Sequence, residues 1–171
     1  MVAVYLIFLS LLALERVVEL LISRRNAAWS FGEGGVEYGA RHFPYMKALH
    51  TGFFIACALE VVLLGRPFLP RLAFFMLGLV VLAELLRYWV IATLGKRWNV
   101  RVIVVPGMAA VQSGPFRFLR HPNYLAVVVE GFAVPLMHSA WWTAIGFSLL
   151  NAWMLSVRIR CEEGALAAHC R

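Results

Sequence analysis

Two short stretches of an otherwise apolar chain hold most of the side chains able to do chemistry. One reads Ser113-Gly114-Pro115-Phe116-Arg117-Phe118-Leu119-Arg120-His121-Pro122-Asn123-Tyr124, the other Arg158-Ile159-Arg160-Cys161-Glu162-Glu163. Pro122 suits the first turn of a helix, where its missing N–H is no loss, so His121 falls near the N-cap beside free backbone N–H groups. Arg158 and Glu162 are four residues apart and share one helical face. The plain reading of that spacing is a salt bridge at a helix end, worth about 0.2–0.5 kcal/mol. The functional reading is that both point at one ligand. An imidazole, a permanently cationic guanidinium and a carboxylate could together bind a polar ligand, orient it and move a proton. A helical hairpin would bring the two stretches to one place. The apolar run 124–137 is short and contains Gly131 and Pro135, and only His138-Ser139 separates it from the run 140–157. So short a link forces two antiparallel helices. Residues 120–124 then meet Arg158 and Glu162 at one membrane level.

The elements that position these groups follow from composition. Of 171 residues, 62% are hydrophobic and 15% are charged, against roughly half and one quarter in soluble domains. Lipid is the implied solvent. A spanning helix takes ~20 apolar residues, so the chain holds four or five spans and no separate soluble domain. Five apolar segments emerge: 2–22, closed by Ser23-Arg24-Arg25-Asn26; 43–64, closed by Gly65-Arg66-Pro67; 72–94; and the two arms of the hairpin. The loop 27–41 is polar and glycine-containing. The connection 98–120, with Pro106-Gly107 and Ser113-Gly114-Pro115, is expected to be irregular or briefly extended. The predicted fold is all-α: one polytopic membrane domain over 1–171, with a three-helix part over 1–94 and the loop, hairpin and tail over 95–171.

The net charge is +7, which in a soluble protein would suggest nucleic acid. Here the basic residues cluster in short loops, and nucleic acid is not an expected partner. Twelve Lys and Arg fall in the first loop, the third loop and the tail (Arg24, Arg25, Arg41, Lys47, Lys96, Arg97, Arg101, Arg117, Arg120, Arg158, Arg160 and Arg171). Only Arg66 and Arg71 fall in the second loop. That bias predicts a cytoplasmic C-terminus and an external N-terminus. The first segment lacks a basic leader and carries Glu15, Arg16 and Glu19, so it is not expected to be a cleaved signal. Cys57, Cys161 and Cys170 lack metal or disulfide spacing. Glu15, Glu19, Glu60 and Glu84, and the Glu84–Arg87 pair, read first as interhelical glue, with a polar wall for a headgroup or ring substrate as the functional alternative. His50 divides the same way. Paired halves of the kind transporters show are absent.

Gly114-Pro115-Phe116, then Arg120-His121-Pro122-Asn123-Tyr124, then Arg158-x-x-x-Glu162-Glu163 after a hairpin resemble the isoprenylcysteine carboxyl methyltransferase family, over about 98–163. Glu15-Arg16-x-x-Glu19, Ser23-Arg24-Arg25-Asn26 and Gly34-Gly35-x-Glu37 resemble its bacterial branch associated with type III polyketide synthases, whose members methylate hydroxyls of alkylresorcinols or alkylpyrones. The resemblance implies S-adenosylmethionine as cofactor, S-adenosylhomocysteine as product, and no metal. It implies that Met108, Ala109, Ala110 and Val111 line the cofactor with backbone groups. Phe116 would pack on it, where the family often has Tyr. His121, Pro122, Asn123 and Tyr124 would close the pocket, and Glu162 would bind the cofactor's polar end. Arg158 would hold or activate the acceptor, and Arg101 matches a further cofactor position loosely. The catalytic set is then Arg158, Glu162 and His121.

The implied activity is an O-methyltransferase at the cytoplasmic membrane face, acting on an alkylresorcinol- or alkylpyrone-type lipid. Its partners would be membrane lipids, the lipophilic acceptor and, as a pathway partner, a polyketide synthase. A prenylated-cysteine carboxylate, a phospholipid amine and a non-enzymatic lipid-binding or scaffold role are the alternatives. No G-x-G-x-x-G follows a strand, so a Rossmann methyltransferase is excluded. A phenol must lose a proton, to His121 or to water, whereas a carboxylate need not. The family pattern continues past the second glutamate with an aromatic, proline-containing tail; this chain ends at Arg171, which would leave the pocket more open.

Overall fold

In the computed structural model, which describes residues 1–169, five α-helices form an up-and-down bundle. The readings placed on Cys170 and Arg171 lie outside the described residues. The helices are α1 (Val2–Gly32), α2 (Phe43–Leu63), α3 (Pro70–Leu94), α4 (Pro122–Leu136) and α5 (Trp141–His169). α2 and α3, extended by the short helical turns that flank them, are long and apolar enough to cross a membrane. Many large apolar side chains face outward, among them Leu14, Leu63, Phe74 and Trp142. Water would penalise such a surface; lipid does not. The chain is a helical membrane protein.

Two helices outrun their apolar segments. α1 does not stop at Ser23-Arg24-Arg25-Asn26 but continues to Gly32. Nothing in that stretch breaks a helix, and its polar face finds partners. Asn26 donates to the Trp98 carbonyl at 2.7 Å, and the Ser23 hydroxyl accepts from the Val100 N–H at 2.9 Å. α5 likewise runs past Val157 to His169. Loss of hydrophobicity marks the exit from lipid, not the end of a helix.

The all-α expectation needs one correction. Val36–Tyr38 (β1) and Val102–Val104 (β2) pair antiparallel, with Glu37 opposite Ile103. The connection expected to be briefly extended thus finds its partner in the first polar loop. The ribbon ties the α1–α2 loop to the α3–α4 connection. Here Gly35 is required: an added Cβ would lie 2.5 Å from the Ser30 carbonyl oxygen.

The hairpin forms as its short link demands. His121 is the N-cap of α4, Pro122 occupies the first turn, and Ser139 makes the tight turn with φ 56°. α3 packs along α4, and α4 along α5. Gly131 is not a break in α4. It lets the Phe147 ring of α5 approach so closely that a Cβ there would sit 2.4 Å from the ring. At the other end of the bundle from the ribbon, the Tyr5 hydroxyl of α1 donates to the Val134 carbonyl at 3.2 Å. Glu60 of α2 accepts from the first N–H groups of α5, Trp142 at 3.1 Å and Thr143 at 2.7 Å, and pairs with Arg66 at 2.7 Å. Glu60 therefore acts as interhelical glue.

Candidate active site

Tyr124, in the first turn of α4, faces the last turns of α5. Its hydroxyl donates to Glu162, and the Arg158 guanidinium stands 5.8 Å from its ring centre. His121 stacks on the same ring at 5.4 Å and donates through Nε2 to Glu163 at 3.2 Å. The two polar stretches of the sequence therefore meet. Arg158 and Glu162 form no salt bridge with each other among the described residues. Arg158 is buried instead and donates to the Val100 carbonyl at 2.7 Å; its other terminal nitrogen lies 2.7 Å from the Met46 sulfur. Its Nε has no partner among the described residues.

These groups line one end of a cavity of about 950 Å³, the upper end of the usual 300–1,000 Å³ range for ligand pockets. Ala110, Val111, Phe116, His121, Pro122, Asn123, Tyr124, Arg158 and Glu162 all lie on its wall, as does Arg101. Met108 and Ala109 do not. Ala109 is exposed and its carbonyl is already taken by Arg97 at 2.7 Å. Arg101 pairs with Glu37 of the ribbon at 3.1 Å. Asn123 Oδ1 is buried at this end without a partner among the described residues.

The cavity continues between α1, α2, α3 and α4 to a buried charge network. Arg16 reaches Glu15 at 3.3 Å and Glu19 at 3.1 Å, and it pairs with Glu84. Arg87 pairs with Glu130, Nε to Oε1 at 3.2 Å, and lies 3.7 Å from both Glu19 and Glu84. Two arginines thus serve four carboxylates across three helices. These pairings are interhelical glue; of the carboxylates for which a polar wall was the alternative, Glu19 lines the cavity, together with Arg16, Arg87 and Glu130, whereas Glu15, Glu60 and Glu84 do not. Glu130 is the member that sequence reasoning passed over. The signal was present, because any carboxylate inside an apolar segment calls for a partner. Val17 and Ile55 line the cavity and are also half exposed, so it opens between α1 and α2 toward the lipid side.

Residues 76–168 match the isoprenylcysteine carboxyl methyltransferase (ICMT) family. The match runs from within α3 to the last turn of α5 and so contains the whole hairpin. The chain is 35% identical over 161 residues to the uncharacterized protein YpbQ of Bacillus subtilis (strain 168), covering 94% of this chain and 95% of that one. It is 28% identical over 170 residues to an uncharacterized protein of Haemophilus influenzae, covering 98% and 96%.

Proposed function

The chain belongs to the isoprenylcysteine carboxyl methyltransferase family, and from that premise we propose that it is an O-methyltransferase using S-adenosylmethionine to methylate a lipophilic phenol or enol at the cytoplasmic membrane face. Methyltransferases of this family use S-adenosylmethionine, and the residues at the loop end of the cavity suit it. Asn123 Oδ1 and Arg158 Nε are buried polar atoms with no partner among the described residues, where such atoms normally have one. The carboxylate of Glu162 suits a cationic amino group. Ala110 and Val111 offer backbone groups, and Phe116 an aromatic face.

When bound, the cofactor supplies a methyl group already activated on a sulfonium. What remains for the protein is to position the acceptor and keep water out. Tyr124 fixes Glu162 through its hydroxyl. Arg158, held on Val100 and Met46 and shielded from solvent, keeps its charge beside the cavity, where it stabilises a negative acceptor oxygen. The one observation that carries the reading is this junction of Arg158, Tyr124 and Glu162 on the wall of a cavity that also reaches the lipid side. Long-chain phenolic lipids such as alkylresorcinols fit an apolar opening with a polar interior. A polyketide synthase is then the pathway partner.

Two measurements test this. Purified protein in detergent is titrated with S-adenosylhomocysteine, and labelled cofactor is offered with an alkylresorcinol and with a farnesyl-cysteine analogue. Absence of saturable S-adenosylhomocysteine binding would falsify the methyltransferase reading. Label appearing only in the farnesyl-cysteine analogue overturns the choice of acceptor.

A further inference from the structure

His50, on α2, lies on the cavity wall between the two groups of charges and takes no part in either. Its Nδ1 is 2.9 Å from the Met46 carbonyl oxygen. A carbonyl can only accept, so Nδ1 carries the hydrogen, and Nε2 of the neutral ring is left with its lone pair. No hydrogen bond among the described residues engages that nitrogen. The ring cannot easily turn away, because the Phe147 ring meets it edge-on at 5.4 Å, and Phe147 is itself packed on Phe53 at 4.3 Å. Met46 links His50 to the hairpin site, since its sulfur lies 2.7 Å from Arg158. The charges acting on the imidazole come from three other helices: Arg87 on α3, Glu130 on α4 and Arg158 on α5.

We propose that His50 is the general base of the reaction: its Nε2 takes the proton of an acceptor hydroxyl held against the Arg158 wall. This rests on the methyltransferase reading above and sharpens it, because only a hydroxyl acceptor has a proton to give up. The O–H bond breaks toward Nε2, forming an imidazolium. The acceptor oxygen forms its bond to the methyl carbon as the carbon–sulfur bond opens, with that electron pair staying on sulfur. The imidazolium then returns its proton to solvent. His121 is less suited to the task, since its Nε2 already donates to Glu163.

The need is quantitative. A phenol with an ordinary value of about 10 is ionised to roughly one part in 10³ at pH 7, and a placed base contributes about 10²–10⁴-fold. The test is His50→Asn in the full chain, in detergent, with an alkylresorcinol as acceptor. Asn keeps a donor for the Met46 carbonyl and lacks Nε2. S-adenosylhomocysteine affinity is expected to stay within about threefold of wild type, showing a folded site. Turnover is expected to fall by about 10²-fold or more at pH 7, and the deficit to shrink about tenfold per pH unit above that, as the acceptor ionises unaided. In ¹⁵N-histidine spectra of wild type, the signal lost in His50→Asn is expected to be that of an Nδ1-protonated ring, shifted when the resorcinol is added. Wild-type turnover in the variant, a deficit that does not change with pH, or an Nε2-protonated ring overturns the proposal while leaving the methyltransferase reading intact. Wild-type protein that methylates a carboxylate and no hydroxyl overturns the base together with the phenol choice. Failure to bind S-adenosylhomocysteine removes both.

Discussion

Arg158 and Glu162 stand one helical turn apart without pairing among the described residues: the Val100 carbonyl and Met46 hold Arg158, and the hydroxyl of Tyr124, whose ring faces Arg158, holds Glu162. Their i, i+4 spacing and the hairpin were legible in the sequence, since helical period and loop length decide both. The partition of Tyr124 between them was not, because it depends on the side-chain conformations of three packed residues. The arrangement predicts separable losses. Glu162→Ala should raise the S-adenosylhomocysteine dissociation constant about tenfold or more, as expected for losing a bond to a charged group of about 1.5–3 kcal/mol. Arg158→Ala should leave that constant within about threefold and lower turnover instead. Calorimetry paired with single-turnover rates checks this, and equal effects on both quantities in both variants would contradict it.

At the scale of elements, the packing of α4 on α5 turns on Gly131. The sequence shows a glycine in a short apolar run, which reads as a weak point in the helix. Its role as a point of close approach needs the Phe147 ring opposite, and no local pattern specifies that ring. Gly131→Ala would press on a ring already confined by Phe53 and His50. Overpacking of this kind costs about 1–3 kcal/mol, and the displaced ring would disturb His50. The expected result is a lower melting temperature together with a turnover loss larger than the loss of S-adenosylhomocysteine affinity. The extension of α1 and the β1–β2 ribbon were equally hidden. Hydrophobic periodicity reports where lipid ends, whereas these features arise from hydrogen bonds between distant loops.

Across the whole molecule, the matched span 76–168 supplies only part of the cavity wall. Arg16, Glu19, Met46 and His50 come from α1 and α2. The network of Arg16 and Arg87 with Glu15, Glu19, Glu84 and Glu130 ties α1 to α3 and α4. That buried carboxylates in apolar segments would need partners was legible. Which helices would share them required the bundle. Arg87→Met should destabilise strongly, by about 3–5 kcal/mol, because it leaves the buried Glu130 carboxylate with only Arg16 at 3.9 Å. Arg87→Met with Glu130→Leu should recover much of that loss in denaturant or thermal unfolding. A double variant no better than the single one would show that the Arg87–Glu130 pair is not the source.

α5 is anchored at its start by Glu60 on Thr143 and carries Arg158 and Glu162 toward its end. From Thr143 to Arg158 it measures about 22 Å, at 1.5 Å per residue. The helix is therefore a ruler with its zero mark clamped at one end of the bundle and its working graduations near the other. One extra residue anywhere between the marks would lengthen it by only about 1.5 Å but rotate everything beyond by about 100°, swinging the guanidinium out of register with Tyr124. Substitutions along the outer face of this ruler should be tolerated freely, while insertions and deletions of single residues should silence the enzyme without unfolding it.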